Sequence, residues 1–250
     1  MGIHSGIKKR IHNHAKNLAL EGLNSLNLPN SLLIIPDGNG RWAKNHNLSV
    51  SQGHFEGGRN MSEILDHFMK IGISVLGVWG FSEDNWKRPK EEIDRIMDVI
   101  QNTINDNLEK LIKNNVKFLV LGKRERIKKE YPNLYKAIEN AVEKTKENTS
   151  KTLALFIDYG EKYQLEEFAK EREYDKNSST YELLSKINFG IPLFDMILRT
   201  SGEQRLSGFG PLASLAEFVS VKDNLPEITD LDIVNALKEF SKRERRFGGR

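Results

Sequence analysis

The chain contains no cysteine in its 250 residues. Disulfides, thiolate-held metals and cysteine catalysis are therefore excluded, and any metal must take oxygen or imidazole ligands, which favours Mg2+ over structural zinc. No apolar run approaches the roughly 20 residues that span a membrane. The opening residues are basic and polar and lack the apolar core of a signal peptide. A soluble cytoplasmic protein is the expectation. Charge of one sign is not in large excess: 38 Lys and Arg face 35 Asp and Glu, for a net charge of +3. That balance, with its cations scattered, argues against nucleic-acid binding. Internal repeats and low-complexity linkers are missing too, so the length suits one α/β domain or two small ones with a sizeable core.

What is present is alternation. LLIIP (32–36), ISVLGVW (73–79), VKFLVLG (116–122), TLALFID (152–158), DMILR (195–199) and AEFVSV (216–221) read as buried strands. Between them lie helix-period segments over 54–71, Pro89 to Asn114, 129–148, from about 161, and 230–245. The pattern predicts a single α/β domain, a mostly parallel sheet flanked by helices, with ligands beyond the carboxyl ends of the strands. The stripe Ile93, Ile96, Ile100, Ile104, Leu108 and Leu111 reads as core, or as the lining of an apolar tunnel beside those ends. Residues 1–30 stand apart as an N-terminal helical extension of the domain expected over residues 31–250. In the extension Ile7, Ile11, Ala15 and Leu18 share one side, and Lys8, Lys9, Arg10, His12, His14 and Lys16 make it basic. It suits a helix packed on the domain or a ragged terminus, or else a weak peripheral contact with a membrane surface or an acidic partner.

Polar clusters follow strand after strand. DGNGR (37–41) is either a tight turn with a surface arginine or a phosphate cradle. Gly38 and Gly40 would let backbone N–H groups approach a ligand, Arg41 would pair with phosphate oxygens, and Asp37 would make sense through a bridging Mg2+ or as a proton handler. The Gly-Lys-Ser/Thr ending of a Walker loop is absent. RTSGEQRLS (199–207) places Arg199, Arg205 and Ser207 after a later strand, as a phosphate clamp would. RERRFGG (243–249) is a third cationic, glycine-bearing element, or a solvated basic tail. In FSEDNWKRP (81–89), Phe81 and Trp86 could wall an apolar pocket over a polar floor, or form a turn before a helix that opens at Pro89. His54 reads as a cap or as a neutral donor near phosphate.

DGNGRWA, GH, FSEDNWKRP, RTSGEQRLS, AEF and RERRFGG, in that order and spacing from about residue 31 to 249, resemble the cis-prenyltransferases, the undecaprenyl diphosphate synthase family. The resemblance implies Mg2+-dependent condensation of isopentenyl diphosphate with an allylic diphosphate of the geranyl or farnesyl type, giving a Z-prenyl diphosphate. It implies that Asp37 carries the Mg2+, that Gly38, Asn39, Gly40 and Arg41 cradle the allylic diphosphate near His54, and that Trp42 flanks the loop. Arg199, Arg205 and Ser207 would hold isopentenyl diphosphate, and Glu217 would help with the metal there. Ser82 and Asn85 would support proton removal, and Phe81, Trp86 and Arg88 would shape the substrate pocket. Arg246 and Gly248 would reach across a homodimer. A non-catalytic or divergent subunit of a prenyltransferase complex is the alternative. The departures from the pattern are local: Val50 replaces an arginine, Asp84 a glutamate, 158–162 reads DYGEK for NYGGR, Gly122-Lys123 stands for GD, and 207–213 reads SGFGPLA for SNFLLWQ.

Overall fold

The computed structural model describes Leu23 and residues 26–170, 176–185 and 190–246. Most of the predicted N-terminal extension, and Gly248, lie outside these residues. The first strand, β1 (Ser31–Ile35), is buried along its whole length and stops at Pro36. It is followed by α1 (Asn39–Asn45) and α2 (Val50–Phe68), then β2 (Val75–Ser82), a short 3-10 turn (Glu83–Lys87) and the long α3 (Lys90–Lys113). Next come β3 (Val116–Leu121), α4 (Arg124–Glu130), α5 (Pro132–Thr145), β4 (Lys151–Tyr159), α6 (Glu161–Lys170) and α7 (Thr180–Ser185). β5 (Met196–Arg199), β6 (Glu217–Ser220) and α8 (Asp230–Ser241) complete the fold.

The six strands form one sheet in the order β3-β4-β2-β1-β5-β6, and every pairing is parallel. Helices flank it, as the alternation predicted. From β1 the chain lays β2, β3 and β4 on one side and returns to place β5 and β6 on the other. The carboxyl ends of β2, β1 and β5 therefore meet at a topological switch point, where open parallel sheets bind ligands. One face buries Ile64, Leu65 and Phe68 of α2 with Ile93, Ile96 and Met97 of α3. The other carries an aromatic cluster of Trp79, Phe156, Tyr159, Phe194 and Phe209.

Several element bounds differ from the expectation. α2 begins at Val50, not at 54, because Ser49 and Gln52 cap it reciprocally. The helix read over 129–148 is two helices, since Pro132 has no N–H to continue α4 and instead opens α5. The second strand runs to Ser82, past the expected 79. The last helix ends at Ser241, not 245, and Arg243 and Arg245 beyond it reach Glu217 at 3.1 Å and Asp195 at 2.5 Å. α1 occupies residues read as loop. No described helix is long and apolar enough to cross a membrane.

Candidate active site

Asp37 follows directly on β1 and Pro36, and its backbone is clamped by the next strand. Thr200, just past β5, accepts from the Asp37 N–H and donates to the Asp37 carbonyl, each at 2.7 Å. Gly38 adopts φ 96°, in the left-handed region that favours glycine. The turn lets the Gly38 N–H donate to Asp37 Oδ1 at 2.7 Å and starts α1 at Asn39. One turn into α1, Arg41 donates to the same Oδ1 at 2.9 Å. Arg199, at the end of β5, donates to Oδ2 at 2.9 Å. Its other arm reaches Ser207 Oγ at 2.8 Å and the Arg205 carbonyl. Glu203 holds Arg41 at 2.8 Å and pairs with Arg205.

Two carboxylates thus gather three guanidiniums at the ends of β1 and β5. Burial alone would lift the Asp37 carboxyl, but the hydrogen bonds and charge of Arg199 and Arg41 outweigh it and hold it below the usual carboxylate range. Asp37 is ionised at neutral pH.

The opposite wall comes from α2 and α3. His54 accepts from Asn39 Nδ2 through Nδ1 at 3.2 Å, so Nε2 carries the proton towards Glu92 at 3.3 Å. Arg88 donates to the same Glu92 oxygen at 2.9 Å. Burial holds the imidazole below its usual range, the bond to Glu92 opposes this, and the charge of Arg88 reinforces it. Ser82 and Asn85 cap each other at the mouth of the 3-10 turn: Asn85 N–H donates to Ser82 Oγ at 3.2 Å and Ser82 N–H to Asn85 Oδ1 at 3.0 Å.

All of these groups except Thr200 and Glu203 line one polar cleft of about 500 Å3. It collects Asp37, Gly38, Asn39, Gly40, Arg41, His54, Ser82, Asn85, Arg88, Arg199, Arg205 and Ser207 from four separate stretches of sequence. A second, apolar cavity of about 130 Å3 lies against it, and the two share Pro36, Asn39, His54, Gly80 and Ile96 as lining.

Other expected site residues stand outside this lining. Trp42 packs on His46 with ring centroids 4.5 Å apart. Phe81 is buried in the core with an edge-to-face contact to Trp86. Trp86 turns towards β4, where its Nε1 donates to Asp158 at 2.8 Å. Glu217 opens β6, at the sheet edge, and binds Arg243. Arg246 pairs with Glu244 at 2.6 Å. Sequence reasoning missed Glu92 and Glu203. The spacing of Arg88 and Glu92, four apart across a helix start, was a usable signal. Glu203 meets Arg41 across 162 positions, and no local pattern marks that contact.

Among the described residues no group of three His, Asp or Glu side chains is arranged to hold a metal ion. Asp37, ionised at the head of the cleft, nonetheless fits Mg2+, which is usually held by one or two carboxylates plus substrate phosphates. Four arginines, Gly38 and Asn39 at the start of α1, and an apolar annex together fit a molecule with an anionic head and a hydrocarbon tail.

Comparison with known proteins agrees. The family profile described as "Putative undecaprenyl diphosphate synthase" matches residues 35–248. An isoprenyl transferase of Fusobacterium nucleatum is 34% identical, over 89% of this chain and 97% of its own. A ditrans,polycis-undecaprenyl-diphosphate synthase of Micrococcus luteus, specific for (2E,6E)-farnesyl diphosphate, is 32% identical over 97% of this chain and 98% of its own. Among solved structures, lavandulyl diphosphate synthase from Lavandula x intermedia, in complex with dimethylallyl diphosphate, superposes with a TM-score of 0.82 at 26% identity, covering 88% of this chain and 98% of that one. A probable undecaprenyl diphosphate synthase from Campylobacter jejuni gives 0.72 at 29% identity, covering 89% and 100%. An arginine-lined cleft with an apolar annex is thus carried by a chain that belongs to the cis-prenyltransferases, the undecaprenyl diphosphate synthase family.

Proposed function

We propose that the chain condenses isopentenyl diphosphate with an allylic diphosphate of the geranyl or farnesyl type, with Mg2+, to give a Z-prenyl diphosphate. The observation that carries this reading is the shared wall of the two spaces. The polar cleft with Asp37, Arg41, Arg199 and Arg205 abuts the apolar cavity at Pro36, Asn39, His54, Gly80 and Ile96. An allylic diphosphate has its charge and its hydrocarbon separated in the same way.

Asp37 would hold the Mg2+, with substrate oxygens completing its shell, and the bound ion would supply charge neutralisation for the departing diphosphate. An incoming diphosphate draws Arg41 and Arg199 away from Asp37, because a multiply charged oxyanion competes well for a guanidinium fork. The same exchange frees the Asp37 oxygens. Gly38, Asn39 and Gly40 orient the allylic head, and neutral His54 fixes the Asn39 side chain. Arg199, Arg205 and Ser207 hold the homoallylic head. The allylic C1–O bond breaks, its electrons leaving with the diphosphate, as the isopentenyl double bond attacks C1; a diphosphate oxygen takes up the proton that leaves C2 of the isopentenyl unit, which restores a double bond. Ser82 and Asn85, in the cleft lining, guide that proton. Fixed cations facing the developing charge lower the barrier without reorganisation. The apolar cavity receives the tail and forms the start of a tunnel.

The working unit is a cytoplasmic homodimer in which Arg246 and Gly248 approach the partner's site, with the basic N-terminal stripe available to a membrane surface. Incorporation of labelled isopentenyl diphosphate by the purified chain tests the reading. Incorporation that stops with a chelator and returns with Mg2+ is expected. No incorporation by the chain alone, restored by a second prenyltransferase subunit, would favour the accessory role instead.

A further inference from the structure

Ser82, Asn85 and Arg88 reach the cleft from one 3-10 turn, Glu83–Lys87, and its two flanking residues. The strands beneath that turn are irregular. β2 and β4 stay in register up to Trp79 and Phe156, then pair Phe81 with Ile157 and Ser82 with Tyr159. Each strand thus carries one extra residue, Gly80 in β2 and Asp158 in β4. Asp158 takes φ 51°, a left-handed conformation in which aspartate and asparagine are enriched among residues other than glycine.

Asp158 is fully buried. Its Oδ1 accepts from Trp86 Nε1 at 2.8 Å, and Arg126 Nε stands 2.9 Å from Oδ2. The Arg126 guanidinium also lies over the Trp86 ring, 4.9 Å from its centroid. One carboxylate therefore holds both an indole and the cation stacked on it. A buried charge is costly unless it is paired, which keeps the three groups in one arrangement. Trp86 follows Asn85 directly within the turn. The first residue of the turn is held separately: Glu83 binds Lys123 at 2.6 Å and accepts from the Tyr163 N–H at 3.2 Å. Lys123 and Asp158 are both local departures from the family pattern, and they pin the two ends of the same turn.

We propose that Asp158 is a positioning residue for the condensation: through Trp86 it fixes the far end of the turn that presents Ser82, Asn85 and Arg88 to the cleft. The proposal rests on the prenyl-transfer reading. It gives the DYGEK stretch a part in the reaction although Asp158 stands outside the cleft lining.

Three substitutions test it. Asp158→Ala removes the acceptor, Asp158→Asn keeps one for Trp86 and suits the same backbone, and Trp86→Phe removes the donor. Each variant, checked by circular dichroism, is assayed with Mg2+, farnesyl diphosphate and isopentenyl diphosphate well below its melting temperature. The alanine variant should lose at least about tenfold in kcat, because small displacements of a positioned group are costly. Its KM for farnesyl diphosphate should stay within about twofold of native, since Asp37 and Arg41 are untouched. The asparagine variant should keep kcat within about threefold of native. Trp86→Phe alone should show the alanine variant's loss, and adding Asp158→Ala to it should cost little more. Asp158→Gly, at ease at this φ, serves the same purpose if the alanine variant does not fold. A full further loss in the double variant, an asparagine variant as slow as the alanine one, or native kcat in a merely destabilised alanine variant would overturn the proposal. A second arm needs no turnover: hydrogen–deuterium exchange over residues 82–88. The alanine variant should lose protection there and the asparagine variant should keep it. Equal protection in the native chain and both variants would overturn the positioning even if no product formed, whereas absent condensation by the native chain would overturn only the proposed reaction.

Discussion

At the scale of single residues the cleft is held in a self-neutralised state. Arg199 has a side chain only 6% exposed, yet both its arms are occupied, by Asp37 on one side and by Ser207 and the Arg205 carbonyl on the other. The arginines are therefore aimed before a substrate arrives, which reduces the ordering cost of binding. Asp37→Ala should lower kcat/KM by at least about 100-fold, the scale of losing a principal charge-stabilising group, with the circular dichroism spectrum retained. Steady-state kinetics at saturating Mg2+ check this, and near-native turnover would remove Asp37 from its role. His54 makes a separate prediction about pH. Its pKa is depressed in the fold, so the unfolded state takes up the proton first as pH falls below the ordinary value of about 6.5. The stability it contributes is fully present above that value and is lost as pH falls through the window down to the folded pKa. Melting temperature should drop on acidification from pH 7, and His54→Gln should flatten that part of the profile. An identical pH slope in the variant would show that His54 does not titrate this way.

At the scale of elements, glycines in α2 let it lie against α1. A Cβ at Gly53 would meet the Asn39 backbone carbonyl well inside contact distance, and one at Gly57 would meet the Asn39 side chain. Alanine in a helix interior gains up to about 1 kcal/mol over glycine. Overpacking against an immovable backbone costs about 1–3 kcal/mol, so the clash should win at Gly53. Gly53→Ala should lower stability in denaturant titration and raise the KM for the allylic substrate, since Asn39 and Gly38 shift together. A stabilised variant with unchanged KM would contradict this packing. Two stretches that depart from the family pattern also meet. Glu161 N–H of DYGEK donates to the Gly208 carbonyl of SGFGPLA at 2.8 Å, so the two changes occupy one contact. The strands were legible because each is a contiguous apolar run, as parallel strands covered on both faces must be. α1 was not legible, because NGRWAKN has a single buried residue and no apolar period. The break at Tyr131 and Pro132 had its signal in the proline, which the continuing charged stripe obscured.

At the scale of the whole molecule, topology makes the site. Residues 37–41, 54, 82–92 and 199–207 converge only because β1 lies between β2 and β5, an order the alternation of elements does not specify. The motif residues were readable as chemistry; the pairing of Glu203 with Arg41 and of Glu92 with His54 needed the sheet. Adding Mg2+ to chelator-treated protein should restore most of the lost incorporation while leaving the melting temperature of the substrate-free chain nearly unchanged, because no three side chains among the described residues are arranged to grip the free ion. A large shift without substrate would point to a preformed metal cage. The most direct measurement is diffraction from crystals grown with Mg2+ and farnesyl thiodiphosphate, which resists cleavage. The diphosphate should lie between Asp37, Arg41 and the start of α1, with its tail past Ile96 along α3. A diphosphate bound elsewhere, or a tail turned outward to solvent, would contradict the proposed chemistry at its centre.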